Sequence, residues 1–168
     1  MQTSYSDPCH AHHGASVGVQ IQKLFPEKNW PQGEIQDQPG DFNTFRTTDK
    51  EKRYLDRLNS DLYDTLREAA EVHRQVRRWS QSWIKPGIKL TDMCELLENK
   101  NRELVGERGL ERGIGFPTGC SLNHVAAHYT PNTGDNTVLG YDDVMKVDFG
   151  TQINGGHNIV VHSAMCRQ

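Results

Sequence analysis

No apolar run in this chain approaches the roughly 18 residues that a membrane span needs. The first ten residues also lack a basic-then-apolar leader pattern. The expectation is a soluble, intracellular, cytoplasmic protein. No charge of one sign dominates either, since 19 Lys+Arg stand against 22 Asp+Glu for a net charge of -3. That balance excludes a chain built around a basic field for nucleic acid. It equally excludes a wholly acidic, solvating segment. No Cys-x-x-Cys pair occurs among Cys9, Cys94, Cys120 and Cys166, so these read as free thiols and not as a disulfide framework. Hydrophobic residues are sparse, at 35% of 168, and mean hydropathy is -0.75. Part of the chain should therefore be solvated. The length still suits one domain with a real core, and no internal repeat recurs at a fixed period.

What is present falls into three stretches. Residues 1–47 read as a polar arm interrupted by Pro8, Pro26, Pro31 and Pro39, with Leu24-Phe25-Pro26 and Ile35 as its expected anchors. Within it, Cys9-His10-Ala11-His12-His13 fits either a short metal-binding tract or incidental histidines, and its spacing matches no closed zinc pattern. Residues 48–83 predict one long helix. Thr48-x-x-Glu51 has the form of a capping box. Leu55, Leu58, Leu62, Leu66, Ala69/Ala70, Val76, Trp79 and Trp83 form an apolar stripe at helical spacing. Arg74, Arg77 and Arg78 make a small basic cluster, which fits a solvated helix face or a contact with RNA or an acidic partner. Pro86-Gly87 ends the segment. Thr91 reads as the N-cap of a second helix with Met93, Leu96, Leu97, Leu104 and Val105 on one face, closed by Gly106 or Gly109.

The composition turns over near Gly109. Residues 49–108 hold 25 charged side chains, whereas residues 109–168 hold 8 together with nine of the fifteen glycines. Helix gives way to short strands and turns. The candidate strands are Ile114–Phe116, Val125–His128, Thr137–Leu139, Val144–Phe149 and Ile159–Val161. Helices first and strands later predict an α/β (α+β) layer arrangement.

Two constellations can carry chemistry. In the first, His128 ends the small apolar stretch Val125-Ala-Ala, just before the turn residues Thr130-Pro-Asn132. There it can face a cleft and titrate near neutrality, or simply bond a turn carbonyl. His124 would share its face if the stretch were a strand. In the second, Asp148 lies within an alternating pattern whose other face is Met145, Val147 and Phe149. A carboxylate beside a core must be paired or bind a metal. Lys146, two residues away on the same face, offers the ion pair, and a metal ligand is the alternative. No Asp or Glu follows Asp148. The later ligand-capable side chains are His157, His162 and Cys166, and a set of Asp148, His157 and His162 is conceivable chemically.

The motifs Gly115-Phe-Pro-Thr-Gly-Cys-Ser-Leu-Asn123, Ala126-Ala-His-Tyr-Thr-Pro-Asn132, Tyr141-Asp-Asp143 and Lys146-Val-Asp-Phe-Gly-Thr151 resemble those of the type 2 methionine aminopeptidases. So do Arg67-Glu-Ala-Ala-Glu71, His73-Arg-Gln-Val-Arg77 and Ser82-Trp-Ile-Lys-Pro-Gly87, with Leu24-Phe-Pro26 fitting the N-terminal segment. Long motifs in the right order across roughly residues 19–154 make a specific signal. The resemblance implies the N-terminal half of a pita-bread fold, with 48–168 as a partial catalytic domain. It implies an enzyme that removes the initiator methionine from nascent chains. It puts His128 on the substrate-contacting histidine and Asp148 on the first metal-binding aspartate, with Co, Mn, Fe or Zn as the divalent cofactor. The family's second, bridging aspartate would fall at or near Ile159, where no acid is close. The other ligands, a histidine and two glutamates, belong to a second half not represented here. From about Gly155 onward the family pattern is lost. The expectation is therefore a truncated chain, inactive alone. Its partners by resemblance are the nascent peptide N-terminus and the ribosome or an initiation factor. The alternative is a non-catalytic homologue that binds a translation-associated partner.

Overall fold

The computed structural model describes residues 18–31, 49–58, 60–155 and 160–166. The Cys9–His13 cluster, Ile35, Thr48 and His157 lie outside them. Asp49 opens the helical half. Its Oδ1 accepts from the backbone N–H groups of Glu51 at 2.9 Å and Lys52 at 3.1 Å, so this aspartate caps the helix. A carboxylate satisfies two orphan donors and also complements the positive end of the helix. Helix α2, Lys50–Leu58, and helix α3, Ser60–Ser80, lie on either side of residue 59, which is outside the described residues, and the helical stretch ends at Ser80, short of the expected residue 83. A short α1, Ile21–Leu24, precedes them.

The apolar stripe is half right. Ala69, Val72 and Val76 are wholly buried, but Tyr54, Leu55 and Leu58 are about half exposed and Leu62 is exposed too. The cause is topological. Among the described elements α2 packs only on α3, so no layer covers its apolar side. Segment 18–31 joins the core more firmly than Leu24 and Phe25 alone would allow. Ile21 is fully buried, and Leu24, Phe25 and Trp30 pack against the core cluster it belongs to.

Ser80 ends α3 by donating its hydroxyl to the Arg77 carbonyl at 2.7 Å. After the turn at Gly87 (φ +94°), the chain pairs briefly with segment 137–139. Gly87 N–H donates to Leu139 O, Leu139 N–H to Ile88 O and Leu90 N–H to Thr137 O, at 2.8, 2.9 and 3.0 Å. Thr137–Leu139 thus forms a bridge to the entrance of helix α4, Leu90–Val105, and not a strand of the sheet. The N-cap of α4 is Lys89, with no side-chain cap. Thr91 sits inside the first turn, its hydroxyl 3.4 Å from Asp92 Oδ1. Gly106, at φ +68°, closes α4 as expected, donating to the carbonyls of Arg102 and Glu103. Leu90, Met93, Leu97, Leu104 and Val105 face inward, while Leu96 turns to solvent.

The sheet is antiparallel and organised on one strand. Strand β3, Met145–Ile153, pairs along one edge with β1, Arg112–Ile114, and then β2, Gly119–Leu122. Its other edge takes β4, Val160–Cys166. Strand β2 was not anticipated, and Val125–His128 is a loop rather than a strand. Helices α3 and α4 cover one face of β3, which gives the expected α+β layering. Buried polar contacts fix the layers. Asn101 of α4 donates to Gly150 O at 2.8 Å and accepts from the Thr151 hydroxyl at 2.9 Å. Arg112 pairs with Glu68 of α3 and donates to Val105 O. The His73 imidazole stacks on Phe149 at 4.1 Å. None of the described helices is long and apolar enough to cross a membrane.

Candidate functional site

The period of two along β3 decides where Asp148 goes. Met145, Val147 and Phe149 are buried under the helices, so Asp148 lies on the opposite face. Its Oδ1 is nevertheless buried and has no hydrogen-bond partner among the described residues. The anticipated ion pair is not made, because Lys146 Nζ donates instead to the Asn123 carbonyl at 2.7 Å. An unpartnered buried carboxylate oxygen costs about 1–3 kcal/mol or more, which marks Asp148 as a ligand-ready group.

The loop after β2 is brought to the same place. Asn123, at φ +48°, starts it. Its Nδ2 donates to Asp143 at 2.7 Å and its Oδ1 accepts from Val144 N–H at 2.9 Å. Val125 N–H closes a turn on Leu122 O at 2.9 Å, and this local bond takes the stretch out of the sheet. Ala126, Ala127 and His128 are exposed, so the shared strand face proposed for His124 and His128 does not exist. His128 has φ +66°, a left-handed conformation that costs about 1–2 kcal/mol for a residue with a side chain.

The loop is held in this shape from its C-terminal side. Cys120 N–H donates to Tyr129 O at 2.8 Å, and Tyr129 N–H donates to Ser121 Oγ at 3.3 Å. The Tyr129 phenol donates to Asp135. The same carboxylate accepts from the Thr137 hydroxyl at 2.6 Å and from Thr137 N–H at 2.9 Å. The Thr137 hydroxyl, then Tyr129, lower the Asp135 carboxyl to about 2, while the bond to Asp135 pushes the Tyr129 phenol up. Across the loop entrance, Asn123 and then Gly140 N–H hold the Asp143 carboxyl below its ordinary range.

Gly119 is the meeting point. It pairs with Asp148 in register. A Cβ on Gly119 would stand 3.6 Å from both Asp148 Cβ and Tyr129 O. The structure therefore sets Asp148 on one side of Gly119 and the backbone that follows His128 on the other. Ser121, Asn123, Tyr129, Asp135 and Asp143 were not singled out as positioning residues. Asp135-x-Thr137 carried a readable signal, the side-chain-to-backbone turn that aspartate favours.

Asp148 stands alone here and is not part of a cage. Among the described residues no group of three or more His, Cys, Asp or Glu converges as a metal site. The register sets Ser163 opposite Asp148 and His162 opposite Phe149. His162 is thus one position out of step with the set of Asp148, His157 and His162. Asp148 suits a divalent ion as an oxygen ligand, but one carboxylate cannot satisfy six or more coordination positions. The basic cluster is also partly committed, since Arg74 makes a two-point pair with Glu71, with both bonds at 2.7 Å.

The family model for metallopeptidase family M24 matches residues 64–164. Methionine aminopeptidase 2A of Arabidopsis thaliana is 59% identical over 137 residues, covering 82% of this chain and 31% of that protein. Methionine aminopeptidase 2 of Schizosaccharomyces pombe is 58% identical over 137 residues, covering 82% and 32%. The chain thus spans about a third of the length of the curated relatives it matches. A solved structure, that of a thermophilic Arx1, superposes with a TM-score of 0.50 at 22% identity, over 65% of this chain and 31% of that one. That likeness concerns the fold alone.

Proposed function

The chain belongs to metallopeptidase family M24, and from that premise we propose that it forms part of a methionine aminopeptidase catalytic domain. In this reading residues 48–168 are the catalytic portion and residues 1–47 an arm. His128 contacts the substrate near the scissile bond, and Asp148 contributes one ligand to a divalent ion of the Co, Mn, Fe or Zn class. The substrate is the N-terminus of a nascent peptide, in the cytoplasm, with the ribosome or an initiation factor nearby. Buried reduced thiols at Cys94 and Cys120 suit that reducing compartment.

The observation that carries the reading is the convergence at Gly119. The unpartnered Asp148 oxygen lies on one side of it and the strained His128 loop on the other. Such an ion supplies Lewis-acid polarisation and an acidified water. This chain's own contribution is to hold Asp148 on β3 and to hold the backbone at His128 in place through Tyr129. Because one carboxylate does not make a two-ion site, the 168-residue chain is inactive by itself.

The test is hydrolysis of a Met-Ala-Ser peptide with added cobalt, manganese or iron, beside equilibrium dialysis of manganese. We expect no turnover, and at most one weakly held ion that Asp148→Asn releases. Turnover that disappears in His128→Ala, or two tightly bound ions, would overturn the incomplete site. Manganese binding unchanged by Asp148→Asn would overturn the ligand assignment. The alternative, a non-catalytic role on the translation apparatus, drew on Arg74, Arg77 and Arg78, and the pairing of Arg74 with Glu71 weakens that surface.

A further inference from the structure

Two thiols meet in the core between helix α4 and strand β2. Cys94 Sγ lies 3.6 Å from Cys120 Sγ and 3.6 Å from the Thr118 carbonyl. Both are free cysteines and both are buried, Cys120 completely and Cys94 with 6% exposure. Two buried cysteines need not touch, because apolar packing places them as it places any small hydrophobe. Here they are in direct sulfur–sulfur contact across two elements 26 residues apart in sequence. The sulfurs need only approach by roughly 1.5 Å to reach bonding distance.

We propose that Cys94 and Cys120 form an oxidisable dithiol that closes to a disulfide under a hydroperoxide, fastening α4 to β2 beneath the His128 loop. The chemistry balances without a further reagent. One sulfur, as its thiolate, attacks the O–O bond of hydrogen peroxide, becomes a sulfenic acid and releases one water. The other thiolate then displaces hydroxide from that sulfur, and the hydroxide leaves as a second water. Two thiols lose two electrons and two protons, and one peroxide becomes two waters. Their hydrogen bond pushes the Cys94 thiol upward and draws the Cys120 thiol downward, so Cys120 is the sulfur that attacks as thiolate. The position gives the bond a consequence. The Cys120 amide donates to Tyr129 O, and its neighbour Gly119 faces Asp148, so the cross-link lies one residue from the convergence point of the candidate site.

The experiment uses the full chain with Cys9→Ser and Cys166→Ser, leaving only the two thiols in question. It is treated while folded with hydrogen peroxide. We expect both thiols to become unreactive to a thiol reagent, the intact mass to fall by two hydrogen atoms, and one peptide to link Cys94 to Cys120. Reduction should restore all three signals. The 26-residue closure should raise the folding equilibrium constant by up to a few hundred-fold in denaturant titration, reversed by reductant. Adding Cys94→Ser should leave Cys120 unlinked, with a sulfenic acid that dimedone traps. Two titratable thiols after peroxide, unlinked over-oxidised cysteines, or linkage formed only in urea would overturn the proposal.

Discussion

Replacing Arg112 by methionine should destabilise this fold strongly at neutral pH and much less in acid. Arg112 and Glu68 are joined by a salt bridge whose side chains are only 11% and 10% exposed. Arg112→Met leaves a carboxylate on α3 in the interior without its counter-charge. Removing one partner of a buried pair costs about 3–5 kcal/mol. The lost hydrogen bond from Arg112 Nε to Val105 O adds about 1 kcal/mol. Only the first part depends on pH. In the intact protein burial, opposed by Arg112, already raises the Glu68 carboxyl above 4.5. A group whose folded pKa is raised gives its stabilisation in full below its unfolded value and loses it as pH rises through the folded value. Without Arg112 the opposing attraction is gone, so that window extends further upward. Urea unfolding followed by circular dichroism between pH 4.5 and 8 should show the loss growing with pH by about 2 kcal/mol or more. The double replacement Glu68→Leu with Arg112→Met should recover most of it, since an apolar pair has no charge to strand. A loss under about 1 kcal/mol at pH 7, or one flat in pH, would refute the argument.

Two neighbours on α4 separate periodicity from burial. Leu97 is fully buried, and Leu97→Ala should cost about 2–5 kcal/mol. Leu96 is 45% exposed, and Leu96→Gln should change stability by no more than about 0.5 kcal/mol. Equal losses would contradict the packing described. Thr137→Val should return the Asp135 carboxyl from about 2 toward its ordinary 3.8. A carboxyl NMR titration reads this directly, and an unmoved value would show that Thr137 is not its main support.

The parts of the fold legible in the sequence are those in which one local signal is also the deciding one. The alternation from Met145 to Phe149 gave β3 its faces, and an αL glycine at Gly106 closed α4. Elsewhere the deciding contact is remote. Leu55, Leu58 and Leu62 repeat at a helical period, which says that they share a face but not that anything covers it. Glu68 and Arg112 look like ordinary solvated charges until the fold brings them together across 44 residues. Val125-Ala-Ala carries the same apolar signature as a strand, and a turn bond to Leu122 with the pairing of Cys120 to Tyr129 makes it a loop.

The same distinction separates structural from functional conflict. Among the features that break local rules are a buried Glu–Arg pair, a buried carboxylate oxygen at Asp148 and a left-handed histidine at His128. Natural sequences tolerate such violations where something compensates for them or where function needs them. The first is compensated within the fold, because each charge satisfies the other and Arg112 also caps the Val105 carbonyl. Asp148 has no such compensation among the described residues, and the strain at His128 is imposed from outside by Ser121, Asp135 and Thr137 acting through Tyr129. These two unresolved conflicts meet on either side of Gly119. Their adjacency is consistent with the proposed site, in which Asp148 is a ligand and His128 a substrate contact held in a preorganised geometry.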